Sequence, residues 1–297
     1  MRRQISFIAV AVSMLLFVAV HLPADPLSQD TGMIKIDDSG FINVGADKMF
    51  YETSGKGPAV IFIHDGLVHR EIWNSQMPFF SQNYQAIRYD RRGYGNSSAP
   101  TERYSIIEDL NALFVHLKLE KACLVGMSSG GGLAVDFALQ YPQKVSSLVL
   151  VGAVVTGFTF TNHFNTRGGH LPVNPSREQA SEYYSSADPY EIYSENTEAK
   201  ARVMQWLKLH PNKDTGKYSL IPPARLALRN LNEIKVPTLI LVGEFDIPDV
   251  HAHAGAINAG IIGSKRDIIL KAGHLVPIEQ PTPFNTAVND FLKSSFR

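Results

Sequence analysis

The sequence predicts an α/β protein: a mostly parallel, doubly wound sheet with helices on both faces. Three observations carry this. Short continuous apolar runs, at residues 59–63, 122–125, 145–151 and 238–242, read as strands covered on both sides. Stretches with apolar residues at helical spacing lie between them, such as Leu133, Ala134, Phe137, Ala138 and Tyr141. At the centre, Gly126-x-Ser128-x-Gly130 stands where a strand gives way to a helix. Glycines suit such a turn because strand and helix backbones approach closely there. The turn lifts Ser128 above the carboxyl end of the sheet, facing the free N–H groups that open the helix.

Composition sets the outer limits. The chain has 297 residues, 44% hydrophobic and 19% charged, as expected of a globular protein. Lys+Arg and Asp+Glu are both 28, so no charge excess points to nucleic acid. The single cysteine, Cys123, sits in an expected core strand and reads as a small buried apolar residue.

Taken in order, residues 1–24 stand apart. Arg2 and Arg3 precede an apolar run over residues 5–20, the pattern of an export signal. The run is shorter than the roughly 20 residues a spanning helix needs, and Leu22 spoils the cleavage site that Ala24 would end. The expectation is export to the periplasm or outside, with an uncleaved membrane tether through residues 5–20 as the alternative. Residues 25–39 read as a linker. An antiparallel hairpin follows, residues 41–44 and 49–52, turning at Gly45-Ala46-Asp47. The strand at 59–63 ends at His64-Asp65-Gly66, and a fourth strand at 86–89 ends at Asp90-Arg91-Arg92. Ser105-Ile106-Ile107-Glu108 is a capping box for a helix with Ile106, Leu110, Leu113, Phe114 and Leu117 on one face.

After Gly152 the rhythm breaks until residue 236. The expected organisation is therefore a core over 40–152, a helical insertion over 153–234, and a second core part over 235–297. Within the insertion, Ser176-Arg177-Glu178-Gln179 is expected to cap one helix, and Ala199, Val203, Met204, Trp206 and Leu207 mark a second, stopped at Pro211.

Ligands in such sheets bind at the carboxyl ends of the strands. The reactive side chains just past strand ends are His64, Asp65, Asp90, Ser128, Glu244, Asp246 and His274. A serine hydroxyl needs a base within reach, and the base needs an orienting acid. His274, after the last strand, is the expected base. Asp246 is the expected acid, with neighbouring Glu244 as the alternative. The order Ser, Asp, His is the one a strand-turn-helix serine predicts. His251-x-His253 reads as a solvated helix start rather than a metal pair, so no metal and no cofactor is expected. Arg91 and Arg92 read as a salt-bridged loop holding the sheet edge, with an anionic substrate as the alternative.

On these residues the sequence resembles the α/β-hydrolase family, over about residues 41–291, through the Ser128 elbow, the acid and histidine loops and Asp90-Arg91-Arg92-Gly93-Tyr94-Gly95-Asn96-Ser97. The resemblance implies that residues 153–234 form a cap and that the backbone N–H groups of Gly66 and Ser129 form an oxyanion hole. It implies a small ester or lactone as substrate, with carbon–carbon bond hydrolysis, perhydrolysis or non-catalytic ligand binding as the rivals. Asp65 is a departure, since the family more often has glycine there. A family glycine there implies either a left-handed backbone, which Asp can also take at modest cost, or close backbone approach; the Asp65 carboxylate is expected to face away, toward Arg70 or the Arg91-Arg92 pair.

Overall fold

The computed structural model describes residues 34–171, 177–211, 213 and 220–295. The expected signal or tether at residues 1–24, most of the linker and the Ser176 cap lie outside the described residues.

The chain folds around one eight-stranded sheet of order β1-β2-β4-β3-β5-β6-β7-β8. Strands β1 (Asp38–Val44) and β2 (Asp47–Ser54) form the antiparallel hairpin, and β2 also runs antiparallel to β4 (Gln85–Tyr89). From β4 onward every pair is parallel: β3 (Ala59–Ile63), β5 (Ala122–Met127), β6 (Val145–Val151), β7 (Thr238–Gly243) and β8 (Lys265–Ile269). The hairpin begins inside the expected linker, because Asp38 and Ser39 pair with Thr53 and Glu52. Asp47, expected in the turn, already pairs with Val44.

Strand alternation splits the core in two. Ile61, Ile63, Leu124, Leu148, Leu150, Ile240 and Val242 point to one face. There they meet α2 (Ile106–His116) and α3 (Ser129–Gln140) through Leu110, Leu113, Phe114, Leu133 and Phe137. Val60, Phe62, Cys123, Val125, Val149, Val151, Leu239 and Leu241 point to the other, against Trp73, Phe80, Phe284, Val288 and Leu292. With both faces covered, the central strands are apolar at every position, which is why they read as unbroken runs rather than alternating ones. Burial pushes the Cys123 thiol up to about 12, so it stays a neutral core group.

The short α1 (Gln76–Phe80) follows β3, in a stretch too brief to show a period. Between β6 and β7 the chain leaves the sheet and forms α4 (Asn162–Thr166), α5 (Arg177–Ser186) and α6 (Thr197–Leu209). It then resumes with α7 (Pro248–Gly260), α8 (Val276–Glu279) and α9 (Pro281–Ser295). At the start of α2 only half of the expected capping box forms. Ser105 Oγ accepts from the Glu108 N–H at 3.3 Å, while the Glu108 carboxylate takes the Tyr141 hydroxyl and the Gln140 amide from α3. Two partners on a neighbouring helix outcompete the one backbone donor behind it.

Candidate active site

The elbow between β5 and α3 is built by close backbone approach. A Cβ on Gly126 would lie 2.4 Å from the Gly130 carbonyl oxygen, and one on Gly130 would lie 2.4 Å from the His64 carbonyl oxygen. Only glycine fits at either position, so the two glycines let strand β3, strand β5 and helix α3 converge. Ser128 between them is held at φ 53° and ψ −118°, outside the regions L-residues favour. Its N–H donates to the Val151 carbonyl at 2.8 Å, and its carbonyl accepts from the Gly132 N–H at 3.0 Å. Those bonds fix the backbone in that conformation.

Ser128 opens on a cavity of about 240 Å³. Its walls include Asp65, Gly66, His274 and, from the insertion, Phe164, Arg167, Tyr184 and Glu191. His274 is buried, and its Nδ1 lies 2.8 Å from Asp246 Oδ2. With the Nδ1 proton shared with that carboxylate, Nε2 is the nitrogen that gains or loses the second proton. Burial pulls the imidazole down, but the charges of Asp246 and then Glu191 more than reverse this and hold it up at about 9. Asp246 is buried and its other oxygen accepts from the Ile247 N–H. Glu244, the alternative acid, is exposed and accepts instead from the Lys271 N–H at 3.0 Å.

Gly66 and Ser129 lie side by side, a Cβ on Gly66 falling 3.5 Å from Ser129 Oγ. Arg91 ties the two segments: its Nη2 donates to Ser129 Oγ at 3.0 Å and to the Asp65 carbonyl. His64 adds a second tie. Its Nδ1 lies 2.8 Å from the Asp65 carbonyl, and its Nε2 accepts from the Arg91 N–H at 3.0 Å. Complete burial and then the Arg91 charge hold this ring well below its ordinary value, so it is neutral, with its proton on Nδ1.

Four expectations are corrected here. The Asp65 carboxylate pairs with no arginine; it accepts the Leu67 and Val68 N–H groups at 3.1 and 2.9 Å, holding the loop after β3. Nor does its backbone need the left-handed region, since the described non-glycine residues with positive φ are Lys118, Ser128, Arg167 and Lys271. Arg91 and Arg92 divide their roles. Arg92 is the expected salt-bridged arginine, 2.9 Å from Asp47 and 2.5 Å from Asp109, whereas Arg91 serves the Gly66–Ser129 pair. His253 is not solvated: it is buried, and its Nδ1 accepts from the Val155 N–H at 3.0 Å. Among the described residues no group of histidines, cysteines and carboxylates is placed to hold a metal ion.

The insertion supplies what sequence reading missed. Arg167 lies 3.1 Å from Asp188 and 2.9 Å from Glu191, with its guanidinium over the rings of Phe164 and Tyr184 at 4.9 and 4.7 Å. Burial pushes the Glu191 carboxyl up to about 7 although His274 and Arg167 oppose it. In the sequence, Asp188-Pro189-Tyr190 signals a break between helices but carries no sign of Arg167 as a partner.

Fold and site together define the class, and the comparison with known proteins agrees: the chain belongs to the alpha/beta hydrolase fold family, matched over residues 58–281. Among curated relatives it is 28% identical over 253 residues to a 2-hydroxy-6-oxo-2,4-heptadienoate hydrolase of Pseudomonas putida, covering 80% of this chain and 90% of that one. It is 25% identical over 245 residues to the carboxylesterase YbfK of Bacillus subtilis, covering 79% of this chain and 80% of that one. Among solved structures it is similar to a thermophilic esterase from Thermogutta terrifontis, with a TM-score of 0.73, 25% identity, and 87% and 99% of the two chains covered.

Proposed function

We propose that the protein is a serine hydrolase of small carboxylic esters or lactones, with Ser128 as nucleophile, His274 as base and Asp246 as orienting acid. The observation that carries this reading is Ser128 itself, strained on the elbow and opening on the same cavity as a histidine held at Nδ1 by a buried aspartate. Ser128 Oγ attacks the carbonyl carbon while His274 Nε2 takes its proton. The tetrahedral oxyanion is received by the N–H groups of Gly66 and Ser129, donors of a kind each worth roughly 10²–10³ in rate. Collapse expels the alcohol, which takes the proton back from His274. A water, deprotonated by the same nitrogen, then cleaves the acyl-enzyme and regenerates Ser128. The chemistry draws on no cofactor, and the insertion acts as a cap that shapes the acyl pocket.

The test is labelling by a fluorophosphonate together with turnover of a graded panel of esters and lactones. Ser128→Ala should lose labelling, and Ser128→Ala or His274→Ala should each lose about 10⁴-fold or more in turnover, with the double variant little worse than either. Labelling that survives Ser128→Ala, or losses that multiply in the double variant, would end this assignment. A second reading, carbon–carbon bond hydrolysis on the same three residues, draws on the similarity to the Pseudomonas putida heptadienoate hydrolase. Product analysis with a β-diketone separates the two. We also propose that residues 1–24 direct export, on the strength of Arg2, Arg3 and the apolar run behind them. Among the described residues no helix is long and apolar enough to cross a membrane. Fractionation of cells expressing the full chain and a chain begun at Asp25 tests this: both in the cytosol would refute it.

A further inference from the structure

The cavity wall opposite Ser128 holds charges that the reaction above does not use. Among the described residues of the insertion, Arg167 is the one cationic side chain that lines the cavity. Its charge is already shared: Nη2 donates to Glu191, Nε lies 3.1 Å from Asp188 Oδ2 without a hydrogen bond, and two aromatic rings cover the guanidinium. An incoming carboxylate would have to compete with two buried carboxylates for that one cation. The carboxyls of Asp188 and Glu191 stand against that guanidinium, Asp65 adds a third to the cavity wall, and Asp246 lies behind His274. Of the two that line the cavity, Asp65 is taken up by the Leu67 and Val68 N–H groups, and Glu191 is the one with an oxygen to spare. Its side chain is 4% exposed, Oε2 accepts from Arg167 at 2.9 Å, and Oε1 takes no hydrogen bond among the described residues. An ionised carboxylate oxygen only accepts, so Oε1 is complete when a donor on the bound molecule meets it.

We propose that Glu191 is a specificity-determining residue: its Oε1 receives a hydroxyl or other donor of an uncharged ester or lactone, and the acid-rich wall excludes substrates that carry a carboxylate. The inference rests on the esterase reading above and narrows its substrate class. Burial that holds the Glu191 carboxyl at about 7, and raises that of Asp65 as well, marks the cavity as one that already resists negative charge. One further like charge about 6 Å away, at an effective dielectric of about 20, is disfavoured by about a hundredfold.

The test uses the full chain and three small ethyl esters followed by pH-stat at pH 8: ethyl butyrate, ethyl 3-hydroxybutyrate and monoethyl succinate. The expected kcat/KM for monoethyl succinate is about a hundredfold below that for ethyl butyrate, and ethyl 3-hydroxybutyrate should match or exceed ethyl butyrate. In Glu191→Gln the succinate-to-butyrate ratio should rise at least tenfold, a readout that a loosened scaffold would not move because both substrates share one sample. Monoethyl succinate turned over as well as ethyl butyrate would overturn the proposal while leaving the esterase reading intact. So would an unchanged ratio in Glu191→Gln. Turnover of none of the three would instead refute the esterase reading, and this inference would fall with it.

Discussion

The strain at Ser128 can be weighed by replacing the residue twice. At φ 53° and ψ −118° an L side chain crowds its own backbone, at a cost of about 1–3 kcal/mol. Alanine keeps that cost and removes the hydroxyl, whereas glycine removes both. Taking the strain as about 2 kcal/mol, and subtracting about 0.5–1 kcal/mol for glycine's greater freedom in the unfolded chain, leaves Ser128→Gly more stable than Ser128→Ala by about 1 kcal/mol. The hydrogen bonds to the Val151 carbonyl and from the Gly132 and Val154 N–H groups are backbone bonds and survive both changes. For a domain of this size the difference is about 2–4 °C in thermal midpoint. Urea unfolding of the two variants, with equal slopes, measures it directly. A Ser128→Gly protein that unfolds at or below the midpoint of Ser128→Ala would refute the argument, because the elbow would then hold no strain for glycine to release.

Other outcomes follow from the same geometry. Glu191→Gln should move the acid limb of kcat/KM for a neutral ester toward lower pH by about one unit, since removing a negative charge beside His274 lets the imidazole lose its proton earlier; a limb that stays put or moves to higher pH contradicts this. Arg92→Ala should cost about 3–5 kcal/mol in denaturant unfolding, because it leaves Asp47 and Asp109 buried without their cation. Asp65→Gly should lower kcat about tenfold by releasing the Leu67 and Val68 N–H groups, and Asp65→Asn, which keeps one acceptor oxygen, should lower it less; equal kcat in the two variants would remove the loop-holding role. The thermal midpoint should fall as pH rises from about 5 to 9. Glu191 and Glu279 are raised to about 7 and His274 to about 9, so the folded protein binds more protons than the unfolded one, and that stabilisation drains away first through the carboxyl range and then through the histidine range.

What the sequence made legible was the part of the site whose geometry is local. Gly126, Ser128 and Gly130 occupy one turn, Asp246 lies just past the apolar strand β7, and His274 follows the short edge strand β8, whose end alone is apolar, so the pattern of runs and breaks was enough to place them. The helical insertion gave no comparable signal. Its charged residues are spaced like surface residues, and nothing in the chain tells that Arg167 meets Asp188 and Glu191 in the interior. Arg91 and Arg92 show the limit most sharply. They are adjacent and chemically identical, yet the turn that the Tyr94 N–H closes on the Arg91 carbonyl sends their side chains to different neighbours. One meets Asp109 on α2 and the other meets Ser129 on α3. His253 misled for the opposite reason: a polar residue near a helix start reads as solvated, but the insertion folds back over that turn and gives it the Val155 N–H to accept.

The insertion does more than supply cavity walls, because it holds the His274 loop. The His274 N–H donates to the Tyr190 carbonyl at 2.8 Å, and the Leu275 N–H donates to the Glu191 carbonyl at 3.0 Å. Glu279 closes the grip from the other side, one oxygen accepting from the Gly273 N–H at 3.0 Å and the other from the Tyr193 N–H at 2.6 Å. Lifting residues 190–193 away would leave the N–H groups of His274, Leu275 and Tyr193 without their partners, at about 1–3 kcal/mol each. That cost favours keeping this strap closed on the histidine loop. Glu191 sits on that strap, its side chain in the cavity wall and its carbonyl on the Leu275 N–H, next to the Tyr190 carbonyl that holds the His274 N–H. On the proposal above, a substrate that displaced Glu191 would disturb the His274 loop in the same movement. Charge selection at the cavity wall would then lower kcat as well as raise KM, and a Glu191-dependent loss confined to KM would refute that coupling.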